Sequence, residues 1–131
     1  MNVEAWDPAR HMSTVLGWWH SRHGIDFAPE LLPTTGYLAL TDTTPIAACF
    51  IYLTNSKVAL IGWPITNPES SKQERHVSLM LLFDILHKVA KEAGCTLVMS
   101  YSGVPAIQKR LSDLGYLEGD MEVKQYVKGI V

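Results

Sequence analysis

The sequence predicts one mixed α/β domain spanning residues 1–131, a single sheet threaded in the order β-α-(α)-β-β-β-α-β-α-β. Three observations carry that expectation. Three apolar, β-rich runs between Tyr37 and Trp63 are joined by turns too short for a crossover, so they form an antiparallel meander. A long amphipathic stretch from about Gln73 to Ala93 then leads to another apolar run, Cys95 to Tyr101; a connection longer than ~12 residues lets the flanking strands run parallel. Shorter helical patterns precede the meander and follow the last of these runs.

Residues 2–6 read as a short first strand. Asp7-Pro8 opens a helix, because Asp caps the first turn and Pro is tolerated in it. Met12, Val15, Leu16 and Trp19 fall at i, i+3, i+4 and i+7, the spacing of one buried face, and Gly24 ends the helix. Ile25 to Thr35, with Pro29 and Pro33, is a connecting loop with room for one helical turn at Glu30-Leu31-Leu32. The meander runs through Tyr37–Thr41, the turn Asp42 to Pro45, the nearly continuous apolar run Ile46–Leu53, the turn at Asn55-Ser56, and Val58–Trp63. Gly62 and Pro64 suit a sheet interior poorly: glycine suggests a bulge and proline deletes a ladder donor, so pairing is expected to fail there. In the long helix Leu79, Leu82, Phe83, Leu86 and Ala90 share one stripe, Asp84, His87, Lys88 and Lys91 lie on the other, and Gly94 stops it. A helix from about Pro105 to Leu114 and a last strand from Met121 to Val127 complete the order.

Composition narrows the function. Hydrophobic residues make up 47% of the 131, enough for a core without disulfides or metal. The formal charge of −2 argues against a nucleic-acid binder, which normally carries a basic face. There is no apolar run of ~18 residues to span a membrane, and Met1-Asn2-Val3-Glu4 is not a secretory signal. Cys49 and Cys95 sit in apolar, strand-like runs and read as reduced thiols of a cytoplasmic protein, with no basic group placed to activate either as a nucleophile. His20 and His23, with no third ligand near them in the sequence, make no metal site.

The element order, the bulge-prone strand at 58–65, the polar loop entering the long helix and the ending Leu111-Ser112-Asp113-Leu114-Gly115-Tyr116 together resemble the GNAT-type N-acetyltransferases over essentially the whole of residues 2–127. Leu32-Pro33-x-x-Gly36, Pro45-Ile46-Ala47-Ala48 and Asn67-Pro68 are similar to small, divergent members encoded by tailed phages, which would place the protein in the host cytoplasm. The resemblance implies acetyl-CoA as co-substrate, held where two strands splay apart, and acetyl transfer to an amine: a protein lysine, an amino terminus or a small amine. It also implies cofactor-binding roles for Pro64, Ile65 and Thr66 on the strand, for Ser102, and for Gln73, Glu74, Arg75, His76, Val77 and Ser78, where the family's pyrophosphate motif falls. His76 stands in place of the motif's first glycine, whose missing side chain lets backbone approach phosphate. Leu111 occupies the position of the family's usual acid tyrosine, and Val58 to Ile65 contains no carboxylate to serve as base.

Two readings of several positions stay open at this stage. A helix starting near Arg75 would aim free amides at phosphate, whereas Ser71-Lys72-Gln73-Glu74 is also a capping box that would spend them. Tyr101, closing the strand after the long helix, is the candidate catalytic acid, a CoA anchor, or a core tyrosine with its hydroxyl in water. Trp18 and Arg22, four apart and off the Met12/Trp19 stripe, form with Trp63 an acceptor-binding set, or else a partner surface or a plain cation–π pair. The missing motif groups support a rival function: an acetyltransferase fold kept as a non-catalytic binding or virion-associated module. Monomer and homodimer are both open.

Overall fold

A computed structural model describes residues 1–120 and 122–130. Contacts gather into two units, residues 1–101 and residues 102–131. The first carries one five-stranded sheet in the spatial order β1-β2-β3-β4-β5: β1 (Asn2–Ala5), β2 (Thr35–Thr41), β3 (Thr44–Leu53), β4 (Val58–Thr66) and β5 (Leu97–Ser100). The first three pairings are antiparallel and β4–β5 is parallel, as the meander and the long crossover require. Helix α1 (Pro8–His23) lies between β1 and β2, and α2 (Lys72–Glu92) between β4 and β5. A 3₁₀ turn at Pro29–Leu31 fills the loop before β2.

Asp7 caps α1 through a bond from the Ala9 N–H, Pro8 takes the first turn, and Gly24 ends the helix at φ +66°. Its buried face differs from the sequence reading. His11, Val15 and Trp18 turn inward, while Met12 and Trp19 are only partly buried. The physical reason is that His11 is satisfied rather than solvated. Its Nδ1 accepts the Asp7 N–H at 3.0 Å, which leaves Nε2 to donate to Glu4 at 3.0 Å. A histidine bonded at both nitrogens packs like an aromatic, here beside Trp6. Trp18, expected exposed, is 7% exposed and belongs to the core with Leu38, Phe50 and Ile65.

The stripe Leu79, Leu82, Phe83, Leu86 and Ala90 of α2 is buried as expected, with Ser78 at its upper end. Cys49 on β3 is fully buried, and burial pushes its thiol up to about 12, so it is not a nucleophile. Gly36 is required by close approach: a Cβ there would lie 2.4 Å from the Phe50 ring and 2.9 Å from the Cys49 carbonyl.

The second unit holds α3 (Pro105–Asp113), ended by Gly115 at φ +90°. Met121, at the start of the expected last strand, lies outside the described residues; Glu122 to Val127 carry no strand and are exposed. An alternating segment becomes a strand only when it has another to pair with, and residues 102–130 contain none among those described.

Gly36→Ala is expected to destabilise the protein by about 1–3 kcal/mol in chemical denaturation, since backbone as well as ring must move. Ellman's reagent should titrate Cys95 alone in the native state and both thiols in denaturant, because Cys49 is sealed in the core.

Candidate functional site

The site follows from a single irregularity. Phe50 pairs with Gly62 and Ala48 with Ile65, so β3 spends one residue, Cys49, where β4 spends two, Trp63 and Pro64. That is the bulge anticipated from Gly62 and Pro64. Trp63 sits at φ +55°, an uncommon conformation for a bulky residue that costs roughly 1–3 kcal/mol. The extra residue changes which side chains share a face. Gly62 and Ile65, three apart, both oppose residues of the Phe50/Ala48 face, and Trp63 packs against the same cluster.

On its other edge β4 is paired with β5 only from Val58↔Leu97 to Ile61↔Ser100. The Ser100 hydroxyl donates to the Ile61 carbonyl at 2.9 Å and closes the ladder. From Gly62 to Thr66, β4 continues as a strand against β3 with no β5 partner. A Cβ on Gly62 would meet nothing within 4 Å, so open space adjoins the point of parting. Tyr101, the next residue after β5, is 68% exposed. The parted strands expected from the sequence are present.

Trp63 is held from the side of α1. Its indole N–H donates to the Tyr52 hydroxyl at 2.6 Å, and that hydroxyl donates to the Leu31 carbonyl at 2.7 Å, tying the bulge to the 3₁₀ loop. Its ring lies edge-on to Phe27 and Trp19, with centroids 4.7 and 5.8 Å away. His23 rests on Trp19 at 4.7 Å. The Trp19 indole N–H is buried without a hydrogen-bond partner. Phe27, Tyr52 and Trp19 were not singled out from the sequence for this place; only the folded chain brings positions so far apart together.

At the other end of the open edge, Thr66 leads into the loop before α2. Arg22, from the last turn of α1, donates to the Thr66 carbonyl at 2.8 Å and to the Asn67 carbonyl at 3.4 Å. Trp18 is core while Arg22 is bonded to the loop, so the exposed Trp18 that an acceptor grip with Arg22 would need is not present. Helix α2 begins at Lys72 behind a complete capping box, in which Ser71 Oγ accepts the Glu74 N–H and Glu74 accepts the Ser71 N–H, both at 3.1 Å. The N–H groups of His76, Val77 and Ser78 lie beyond the first turn, where helix geometry spends them on intrahelical bonds. With the helix starting at Lys72, those three amides are not the N-terminal donors; the Lys72 and Gln73 N–H groups are the ones the box leaves outside it. The Glu74 carboxylate is held below its ordinary range by the Ser71 N–H, then by the Ser71 hydroxyl and by Thr41.

Ser102 belongs to the second unit, where its hydroxyl accepts the Val104 N–H and its carbonyl accepts from Gln108. His20 bonds Asp26 at 3.1 Å while His23 lies on Trp19, so the two imidazoles do not converge. Among the described residues no group of three or more His, Cys, Asp or Glu could hold a metal, and no helix is long and apolar enough to cross a membrane.

The depressed carboxylate sets a sign. A folded-state pKa below the unfolded value gives stability that is present above the ordinary glutamate pKa, ~4.3, and lost as pH falls through the folded value. Glu74→Gln should melt below the parent at neutral pH, and the gap should close as pH drops below about 4.

No family model matches the sequence, and no curated protein matches it. Solved structures do. The chain is similar to a ribosomal-protein-alanine N-acetyltransferase of Brucella melitensis (TM-score 0.71, 13% identity, 98% of this chain and 99% of that one). It is similar to an aminoglycoside 6'-N-acetyltransferase of Acinetobacter haemolyticus (TM-score 0.68, 18% identity, 99% of each chain). A third is a predicted acetyltransferase of Clostridium acetobutylicum solved with acetyl-CoA (TM-score 0.67, 15% identity, 95% of each chain). At these identities the likeness establishes architecture: the chain has the GNAT acetyltransferase fold.

Proposed function

We propose that the protein is an acetyl-CoA-dependent N-acyltransferase. The observation that carries the reading is the unpaired edge of β4 from Gly62 to Thr66 beside open space at Gly62. An exposed strand edge offers backbone N–H and C=O groups in a row, and an extended amide-bearing chain such as pantetheine satisfies them as an added strand would. One similar structure was solved with acetyl-CoA and two others are N-acetyltransferases, which supports the same class.

Acetyl-CoA would supply an activated thioester. An acceptor amine, neutral when it attacks, forms the new C–N bond as the C–S bond breaks, and the amine proton ends on water or on the departing thiolate. The chain's own part is positional. Backbone from Gly62 to Thr66, with Pro64, Ile65 and Thr66 as its cofactor-contacting residues, would hold the arm. The backbone about Gly62–Ile65 would polarise the carbonyl. Tyr101, exposed at the end of β5, is the candidate acid toward the thiolate, since β4 carries no carboxylate and position 111 is leucine. Trp63, with Trp19 and Phe27 behind it, would form an apolar wall for the acceptor. The acceptor is an amine on a protein or a small molecule. A cytoplasmic, phage-encoded setting and a homodimer belong to this same reading.

One observation favours a rival. The capping box places a carboxylate at the start of α2, where the fold's pyrophosphate loop would otherwise present amides. On that reading the fold serves as a non-catalytic module.

Calorimetry separates the two. The transferase reading expects acetyl-CoA and CoA to bind in the micromolar range, with acetyl-CoA consumed when amines are supplied. It also expects Gly62→Val, which fills the open space with a strand-forming side chain, to melt near the parent while losing at least about tenfold in affinity. Absence of heat and of thermal shift at millimolar acetyl-CoA would leave the module.

A further inference from the structure

We infer that the acceptor at the parted edge is an amine carried on an aromatic body, held among Trp63, Trp19 and Phe27. The inference rests on the transferase reading for the chemistry, and on the rings alone for the binding. Trp63 belongs to the open segment of β4 and also to a group of rings from three elements. Phe27, from the loop before β2, lies edge-on to it at 4.7 Å, and Trp19, from α1, at 5.8 Å. Phe27 also stacks on Trp19, with centroids 5.1 Å apart and planes 25° from parallel, and His23 lies against Trp19 at 4.7 Å.

These rings are not used up by the core. Trp19, Phe27 and Trp63 are only partly buried, packed against the buried cluster of Trp18, Leu38, Phe50 and Ile65 rather than within it. Aromatic rings prefer stacked and edge-on neighbours, so a flat ligand entering beside them extends an arrangement already in place. The Trp19 indole N–H is buried without a hydrogen-bond partner, a rarity that marks the cluster as unfinished by the protein's own groups.

Charge narrows the acceptor further. Of the two acids in the loop between α1 and β2, Asp26 is bonded to His20, and Glu30 is exposed in the 3₁₀ turn. Arg22 stands one turn beyond Trp19 on the same side of α1 and donates to the Thr66 and Asn67 carbonyls at the end of the open segment. A single ammonium, that of the reacting amine, is attracted by ring faces. Further ammonium groups would meet a guanidinium there, with no carboxylate to receive them. An arylalkylamine fits this site, and a polyamine does not. Its nitrogen, neutral when it attacks, takes the acetyl group from the thioester, and CoA leaves as the thiol once the amine proton reaches the thiolate, directly or through water.

Calorimetry with phenethylamine, tryptamine and spermidine, each with and without acetyl-CoA, tests this on the parent, Phe27→Leu and Phe27→Tyr. Acetyl-CoA is titrated into each protein alone, and turnover of each amine is read as thiol released. Phe27→Leu stays apolar but loses the ring. It should weaken both aryl amines about three- to tenfold, raise their KM with kcat little changed, and bind acetyl-CoA as the parent does. Phe27→Tyr, which restores the ring, should behave as the parent, and spermidine should bind the parent more weakly than either aryl amine.

If the aryl amines bind the parent and lose affinity in Phe27→Leu while acetyl-CoA neither binds nor is consumed, the aromatic site stands and the transferase reading falls. Three results would overturn the inference: spermidine bound as tightly as the aryl amines, aryl-amine binding absent with and without acetyl-CoA, or aryl-amine affinity that does not follow the ring at position 27.

Discussion

One extra residue in β4 governs the molecule. Where Cys49 faces both Trp63 and Pro64, the strand cannot keep its alternation, and Trp63 is driven to positive φ. Pro64 has no N–H to offer a neighbour on the other edge. The ladder to β5 therefore stops at Ile61, pinned by the Ser100 hydroxyl. A bulky residue in this conformation persists only if its surroundings hold it, and they do. The Tyr52–Leu31 relay grips the indole, and Phe27 and Trp19 pack against its ring. The loops around α1 thus act as the buttress of an opening in the sheet.

Much of this was legible in the sequence because the signals are local. Asp7-Pro8 and Gly24 bound α1, Gly62 and Pro64 mark the bulge, and Ser71 with Glu74 spells the cap. The errors arose where a distant partner decides. The buried face of α1 includes His11, whose two nitrogens are satisfied by Glu4 and the Asp7 N–H, and that face takes Trp18 out of solvent. The alternation in Glu122 to Val127 needed another strand to become one. The contacts of Phe27 with Trp63, and of Arg22 with Thr66, join positions 36 and 44 residues apart that no spacing rule connects.

The electrostatics of the opening follow from where helix amides are spent. The capping box at the start of α2 occupies the Ser71 and Glu74 N–H groups and leaves those of Lys72 and Gln73 outside it. Arg22 and Arg75 both reach the loop before α2 and are anchored there through carbonyls. The same economy appears at the bulge, where backbone and aromatic surface are available and ionisable groups are few. A site of this kind works by holding its reactants in register more than by trading protons.

Amide hydrogen exchange along β4, with and without acetyl-CoA, tests the central claim most directly. The account predicts that exchange slows across Gly62–Thr66 when the ligand is added, while Ala59–Ile61, already paired on both sides, stays as it was. An unchanged Gly62–Thr66 segment under saturating acetyl-CoA, or protection confined to other strands, would contradict it.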